Sequence, residues 1–193
     1  METNKQLTMS LKQAEGFEDR QLTGLARKHF QPLLNQLDKQ LKKVQLQIRQ
    51  LIQEDEKLKQ LTKIVTSVPG VGEIVCWKLL VVTNEFKDLR DGRKFACYSG
   101  VAPFAYTSGI SIKGRAKVSN MANKDMKKLL HMAAVASIGK GKGELYDYFH
   151  RKVKQGKHKM SIINAVRNKI IHRVFACVSA NREYDYSYIN ALV

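Results

Sequence analysis

The sequence predicts a mainly α protein: a long helix of coiled-coil type, then a helical domain with a helix-hairpin-helix element and one short irregular or extended insertion. Three observations predict it. Apolar residues recur at spacings of three and four over most of the chain. Proline and glycine clusters separate those runs. One stretch alone, Gly100 to Ser111, mixes proline, glycine, aromatic and β-branched residues in the manner of extended chain or loop.

Residues 1–30 are polar and weakly periodic, and Gly16 and Gly24 interrupt any long helix, so a loosely structured segment is expected there. In the next segment, 31–64, Leu34, Leu37, Leu41, Val44, Ile48, Leu51 and Leu58 form an alternating three-and-four seam, broken only by Asp55. That seam can pack on its own domain or pair with another subunit; the pattern leaves both open. Ser67, Pro69, Gly70 and Gly72 end the run, and the domain from 65 to 182 begins.

Within it, "VPGVGEIVCWKLL" sets two glycines one residue apart between helical segments, with Val68 and Val71 as apolar anchors. This is the pattern of a helix-hairpin-helix element over 65–82. Glycines at Gly70 and Gly72 permit a tight turn and let a phosphate approach backbone N–H groups at the start of the next helix, where the dipole favours an anion. Equally, such glycines can simply join two packed helices. A buried helix is expected over Glu73 to Val82 and a short one over Asp91 to Tyr98. Asn123 can cap a helix carrying Met126, Leu129, Leu130, Ala133 and Ala134, and the glycines from Gly139 to Gly143 end it. Leu145, Tyr148, Phe149 and Val153 suit a further helix, Ile162 to Val178 the last, and the tail 183–193 is expected to be held to the body by its tyrosines.

The charge is uneven. Lys and Arg number 34 against 17 acids, a formal +17, and Ser111 to Arg173 holds 16 cations against Asp125, Glu144 and Asp147, an excess of 13. A cationic surplus on a segment with ordered apolar spacing points to a nucleic-acid partner. No apolar run approaches the ~20 residues of a membrane span and no signal-peptide core follows Met1, so a soluble, cytoplasmic protein with no membrane partner is expected. Cys76, Cys97 and Cys177 are odd in number and far apart, which predicts core thiols and neither disulfides nor zinc. The five histidines include no helical pair at ligand spacing, so no metal site is expected.

"VPGVG", then "FACYSGVAPFAYTSG" about thirty residues later, then "KGRAKVSNMANKDMKKLLHMAA", is similar to the C-terminal domain of the insertion-sequence one-ten family of transposases, the DEDD-type, Piv-related, bridge-RNA-guided recombinases. The likeness covers about Ile64 to Ala180 and lies in the order of the motifs. It implies a bacterial, nucleoid-associated protein that binds DNA, acts in DNA transposition and recombination of a mobile element, and takes a guide RNA as a further partner. In that family a RuvC-like N-terminal domain carries the acidic metal ligands and a coiled coil follows it. Thirty residues cannot form such a domain. The chain is therefore expected to correspond to the C-terminal part, with no cofactor of its own, Mg belonging to the RuvC-like domain, and with little activity in isolation. The 31–64 helix is expected to make homo-oligomers.

The family's nucleophilic serine, in the "SG" that follows "GVAPFAYT", matches Ser108, with Thr107 immediately before it. Val118 to Asn123 departs from the family pattern by lacking its lysine and glycine. A serine nucleophile exchanges a phosphodiester for a phosphoserine link and needs cations around the crowded phosphorus. Lys113, Arg115 and Lys117 follow the serine at short range, and Lys124, Lys127 and Lys128, with Lys140 and Lys142, are expected to contact phosphate, the plainer reading being a solvated helix face. Ser111 and Ser119 are the neighbouring hydroxyls; Ser119 suits support of the following helix. Tyr106 and Phe104 can stack on bases, and Phe104 equally suits the core. The alternative to a recombinase is a non-catalytic helical nucleic-acid-binding or assembly module derived from a transposase.

Overall fold

The computed structural model of the protein describes residues 6, 8–10, 13, 20–108, 112–139 and 141–186, and of these the backbone alone at 20–23, 26, 104–108 and 112–117. It divides into two units, Met1–Asp55 and Glu56–Val193.

The first unit is dominated by helix α1, Arg20–Glu54, 35 residues or about 52 Å at 1.5 Å per residue. It starts eleven residues before the expected boundary at 31, so residues 20–30 are helical rather than loose, and Gly24 lies inside the helix. The reason is one of magnitude. A single interior glycine costs about 1 kcal/mol relative to alanine, which a long run of Gln, Lys, Arg and Leu absorbs. Pro32 also lies inside and removes one helical hydrogen bond. The seam residues Leu37, Val44 and Leu51 remain 36%, 50% and 62% exposed, whereas Leu34 is buried and Leu41 and Ile48 are half-buried, so the seam is covered only in part. The expected continuous helix over 31–64 is two helices, interrupted at Asp55. Aspartate places a charge on the seam and belongs among the residues that favour a helix N-cap, so the run restarts after it.

The second unit contains α2 (Glu56–Ser67), α3 (Glu73–Thr83), α4 (Gly92–Tyr98), a hairpin of β1 (Phe104–Ser108) and β2 (Ile112–Lys117), then α5 (Lys124–Gly139), α6 (Glu144–Lys154) and α7 (Lys159–Ser179). Helix α7 is the axis of the body and packs against α2, α4, α5 and α6. Its buried residues Ile162, Val166, Ile170, Ile171, Val174 and Phe175 lie on more than one face, as a central helix requires. It begins at Lys159, three residues before the expected start, because the first turn is solvent-facing and carries no apolar signal.

Val65, Val68, Cys76, Leu79, Phe95, Met126, Leu130, Ala134, Val166 and Ile170 form the centre of one contiguous core. Each fully buried Val, Leu or Ile contributes about 1.5–3 kcal/mol. The Phe95 and Phe86 rings lie 5.3 and 5.1 Å from that of Phe175. Burial pushes the Cys76 thiol up to about 12 and raises that of Cys177 as well, in keeping with core thiols. After α3 the backbone turns through three left-handed residues, Asn84, Glu85 and Phe86, with φ of 49°, 56° and 62°. Such residues cost about 1–2 kcal/mol each. Thr83 Oγ1 accepts from the Phe86 N–H at 3.0 Å, and Phe86 enters the core, which offsets the strain.

The tail is held as expected for two of its tyrosines. The Tyr184 N–H donates to Ser67 Oγ at 2.8 Å, and the Tyr186 hydroxyl donates to the Ser67 carbonyl at 3.3 Å. Tyr188 lies outside the described residues.

Candidate nucleic-acid interface

The expected irregular insertion is an antiparallel two-stranded hairpin. Phe104 pairs with Lys117, Tyr106 with Gly114, Thr107 with Lys113 and Ser108 with Ile112, with a register shift between Phe104 and Tyr106. Aromatic and β-branched residues favour the strands. Ser108 is the last residue of β1 and stands about 13 Å along the strand from Phe104, at 3.3 Å per residue. Lys113 is paired one position from it, Lys117 lies at the root, and Arg115 lies in β2 between them. The side chains of Phe104, Tyr106, Ser108, Lys113, Arg115 and Lys117 lie outside the described residues, as do Ser111 and Lys140 entirely.

The root of the hairpin is fixed on three sides. Asn123 caps α5, its Oδ1 accepting from the Met126 N–H at 2.9 Å, while its own N–H donates to the Tyr98 carbonyl at 2.9 Å and its Nδ2 to the Tyr98 hydroxyl at 2.9 Å. Gly100, at φ 65°, packs so close to Ala122 that an added Cβ would lie 2.8 Å from the alanine Cβ. From α7, Asn164 Nδ2 donates to the Val101 carbonyl at 3.0 Å. Ser119 Oγ accepts from the Met121 N–H at 3.1 Å, the supporting role expected of it.

Immediately beyond this root, α5 opens with Lys124 and Lys128 exposed and Lys127 half-buried. Lys128 lies 3.7 Å from Asp125. Cations in the first turns of a helix oppose its dipole at a cost of about 0.3–1 kcal/mol each at low salt. The same N-terminus, with its partial positive charge added to the lysines, is suited to an anion. Lys142 is exposed on the connection from α5 to α6.

The two glycines of the turn between α2 and α3 differ. Gly70, at φ 87°, faces α5; an added Cβ would lie 2.2 Å from the Ala133 carbonyl oxygen and 2.9 Å from Ser137 Cβ. Its requirement for glycine is explained by packing. Gly72 is exposed, precedes α3 as its N-cap with φ −95°, and has nothing within 4 Å of an added Cβ. The next residue, Glu73, places a carboxylate in the first turn of α3, where a phosphate would approach. The turn meets α5 at Ala133, nine residues and about 14 Å along the helix from Lys124. Lys124, Lys127 and Lys128 are therefore brought to the hairpin root, and the glycine turn is not.

One cluster escaped the sequence reading. Arg167, 7% exposed, projects from α7, where its Nη2 lies 2.6 Å from His131 Nδ1 and its Nη1 donates to Asn164 Oδ1 at 3.4 Å. Its Nε is buried without a partner. Burial alone lowers its affinity for its proton. The only signal for it in the sequence was an arginine at a position of the Ile162–Val178 run whose neighbours on the same helical face are apolar. Among the described residues no group of three or more His, Cys, Asp and Glu could hold a metal ion, and no helix is long and apolar enough to cross a membrane.

Residues 62–150 match the family described as Transposase IS116/IS110/IS902 family. The chain is 29% identical over 159 residues to a pilin gene-inverting protein of Moraxella lacunata, which covers 82% of this chain and 47% of that protein. A pilin gene-inverting protein of Moraxella bovis is 28% identical over the same shares. An uncharacterized 43.6 kDa protein of insertion element IS110 from Streptomyces coelicolor is 26% identical over 110 residues, 57% of this chain and 27% of that protein. The chain thus spans about half the length of the pilin gene-inverting proteins it matches. The resemblance carried by the "VPGVG", "FACYSGVAPFAYTSG" and "KGRAKVSN" motifs is borne out: all three lie within the residues that match the Transposase IS116/IS110/IS902 family.

Proposed function

We propose that this chain is the serine-bearing, DNA-gripping domain of a transposase. In this reading a duplex lies along the cationic second half of the chain, its backbone held without sequence preference by Lys124, Lys127, Lys128 and Lys142, with Lys113, Arg115 and Lys117 of β2 beside the scissile phosphate. The observation that carries it is the joining of the serine hairpin to the lysine-bearing N-terminus of α5 at one root, in a domain of a transposase family. Ser108 Oγ, losing its proton to a base, attacks phosphorus; the bond from phosphorus to the sugar oxygen breaks, and that oxygen takes up a proton. The phosphoserine link keeps the bond energy, so a second sugar hydroxyl reverses the step on a new strand. Any divalent ion in the reaction is assigned to the RuvC-like domain that the resemblance implies. Guide RNA is a further partner on the same basis, and the exposed seam residues Leu37, Val44 and Leu51 of α1 are assigned to pairing between copies. Gly72 is kept as a minor backbone contact and Gly70 as a packing residue.

The test of the grip is affinity for a duplex of arbitrary sequence as a function of salt. The four backbone contacts of Lys124, Lys127, Lys128 and Lys142 predict a loss of about 150-fold between 50 and 200 mM salt, and Lys124→Gln with Lys128→Gln should make the log–log slope shallower by about two. A flat salt response of the unaltered chain contradicts the reading.

A further inference from the structure

We infer that His131 and Lys127, backed by the buried guanidinium of Arg167, form a seat for one phosphate at the root of the serine hairpin. The inference rests on the nucleic-acid reading for the identity of the ligand, and on the following geometry for the seat itself.

Arg167 keeps its charge at any accessible pH, and its partners are neutral: the His131 ring, the Asn164 amide, and nothing at Nε. Among the described residues no carboxylate lies within ion-pair distance of it. The other arginine of α7 is a control within the same helix. Arg173 is ion-paired with Glu144 and lies 5.6 Å from the Tyr184 ring. A shielded cation without a counter-ion is costly unless a partner supplies the opposite charge. Because an arginine nitrogen can only donate, His131 Nδ1 is the acceptor in the 2.6 Å contact, which puts the ring proton on Nε2. His131 is half-buried, and Nε2–H is the ring donor that the Arg167 contact leaves for a ligand.

Lys127 precedes His131 by one turn and shares its face of α5. Its Cδ would lie 3.7 Å from a Cβ added at Gly100, so its stem runs across the hairpin root. Two donors, one of them charged, thus share one face of α5, and Asn164 links Arg167 behind them to the Val101 carbonyl of the hairpin root. A phosphate seated there would complete a network that reaches the base of the strand carrying Ser108. The ligand class is a phosphodiester or free phosphate, which the arms of the test separate.

Inorganic phosphate is the first probe. Added to the intact chain at matched ionic strength against chloride, it should raise the melting temperature by about 2 °C or more, and should shift the His131 ring resonances, assigned with His131→Gln. Arg167→Met should lose most of that rise, whereas Lys157→Gln, exposed on the connection from α6 to α7, should keep it. The second probe is duplex DNA, for which Lys127→Gln should lower the salt slope by about one and Arg167→Met should weaken binding about tenfold. Unshifted His131 resonances in the unaltered chain, or a phosphate-dependent rise in Arg167→Met equal to that of the unaltered chain, would overturn the seat. The ring resonances need no variant to fold. A chain that fails to bind DNA but shifts His131 with phosphate defeats the nucleic-acid reading and leaves the seat standing; one that binds DNA with His131 unmoved does the reverse.

Discussion

Gly70 and Gly72 sit one residue apart and answer to different physics. Gly70 has a left-handed φ and no room on the α5 side, so Gly70→Ala should cost about 2–4 kcal/mol of unfolding free energy, through strain and a displaced α5. Gly72→Ala meets open space and an ordinary φ, and should stay within about 1 kcal/mol. Chemical denaturation of the two variants checks this; equal losses would mean the packing account of Gly70 is wrong. The sequence showed that glycine was needed in this turn but could not say why, since a phosphate contact and a helix contact require the same absent Cβ. Asn123 was legible as a cap because that role is local, set by a side-chain oxygen three residues from its donor. Arg167 was not, because its meaning depends on the lack of a carboxylate opposite it, and the residues opposite belong to helices distant in sequence.

At the scale of elements, the helices could be read because each carries its own period. The hairpin could be read only as extended chain, since pairing β1 with β2 turns on register, a relation between two segments. The N-terminal boundary of α1 failed for a different reason. Glycine lowers helix propensity without forbidding helix, and the apolar spacing of Leu22, Ala26 and Phe30 toward Leu34 is sparse and crossed by Gly24, so it announces the helix only weakly. The stripe that does exist supports a prediction: if α1 pairs between copies, Val44→Lys with Leu51→Lys should lower the sedimenting mass to that of one chain, with the helix content unchanged. A chain that sediments as a monomer at high concentration before any change would remove the pairing.

At the scale of the molecule, the surplus of 13 positive charges between Ser111 and Arg173 has a structural address. Part of it lies on the hairpin and on the first turns of the helix that follows, joined at a root held by Asn123 and Asn164. Composition indicated a polyanionic partner; the fold places Lys124, Lys127 and Lys128 beside the root of the hairpin that carries position 108, and sets the glycine turn apart from it at the far half of α5. The Ser108 hydroxyl is proposed to meet the DNA backbone. The most direct measurement is to incubate the chain, alone and with a full-length relative, with element-end DNA, and to isolate any covalent protein–DNA species and map its attachment by mass spectrometry. An adduct at Ser108 that is absent from Ser108→Ala is expected; an adduct that persists in that variant, or one mapped to another residue, would remove Ser108 from the reaction.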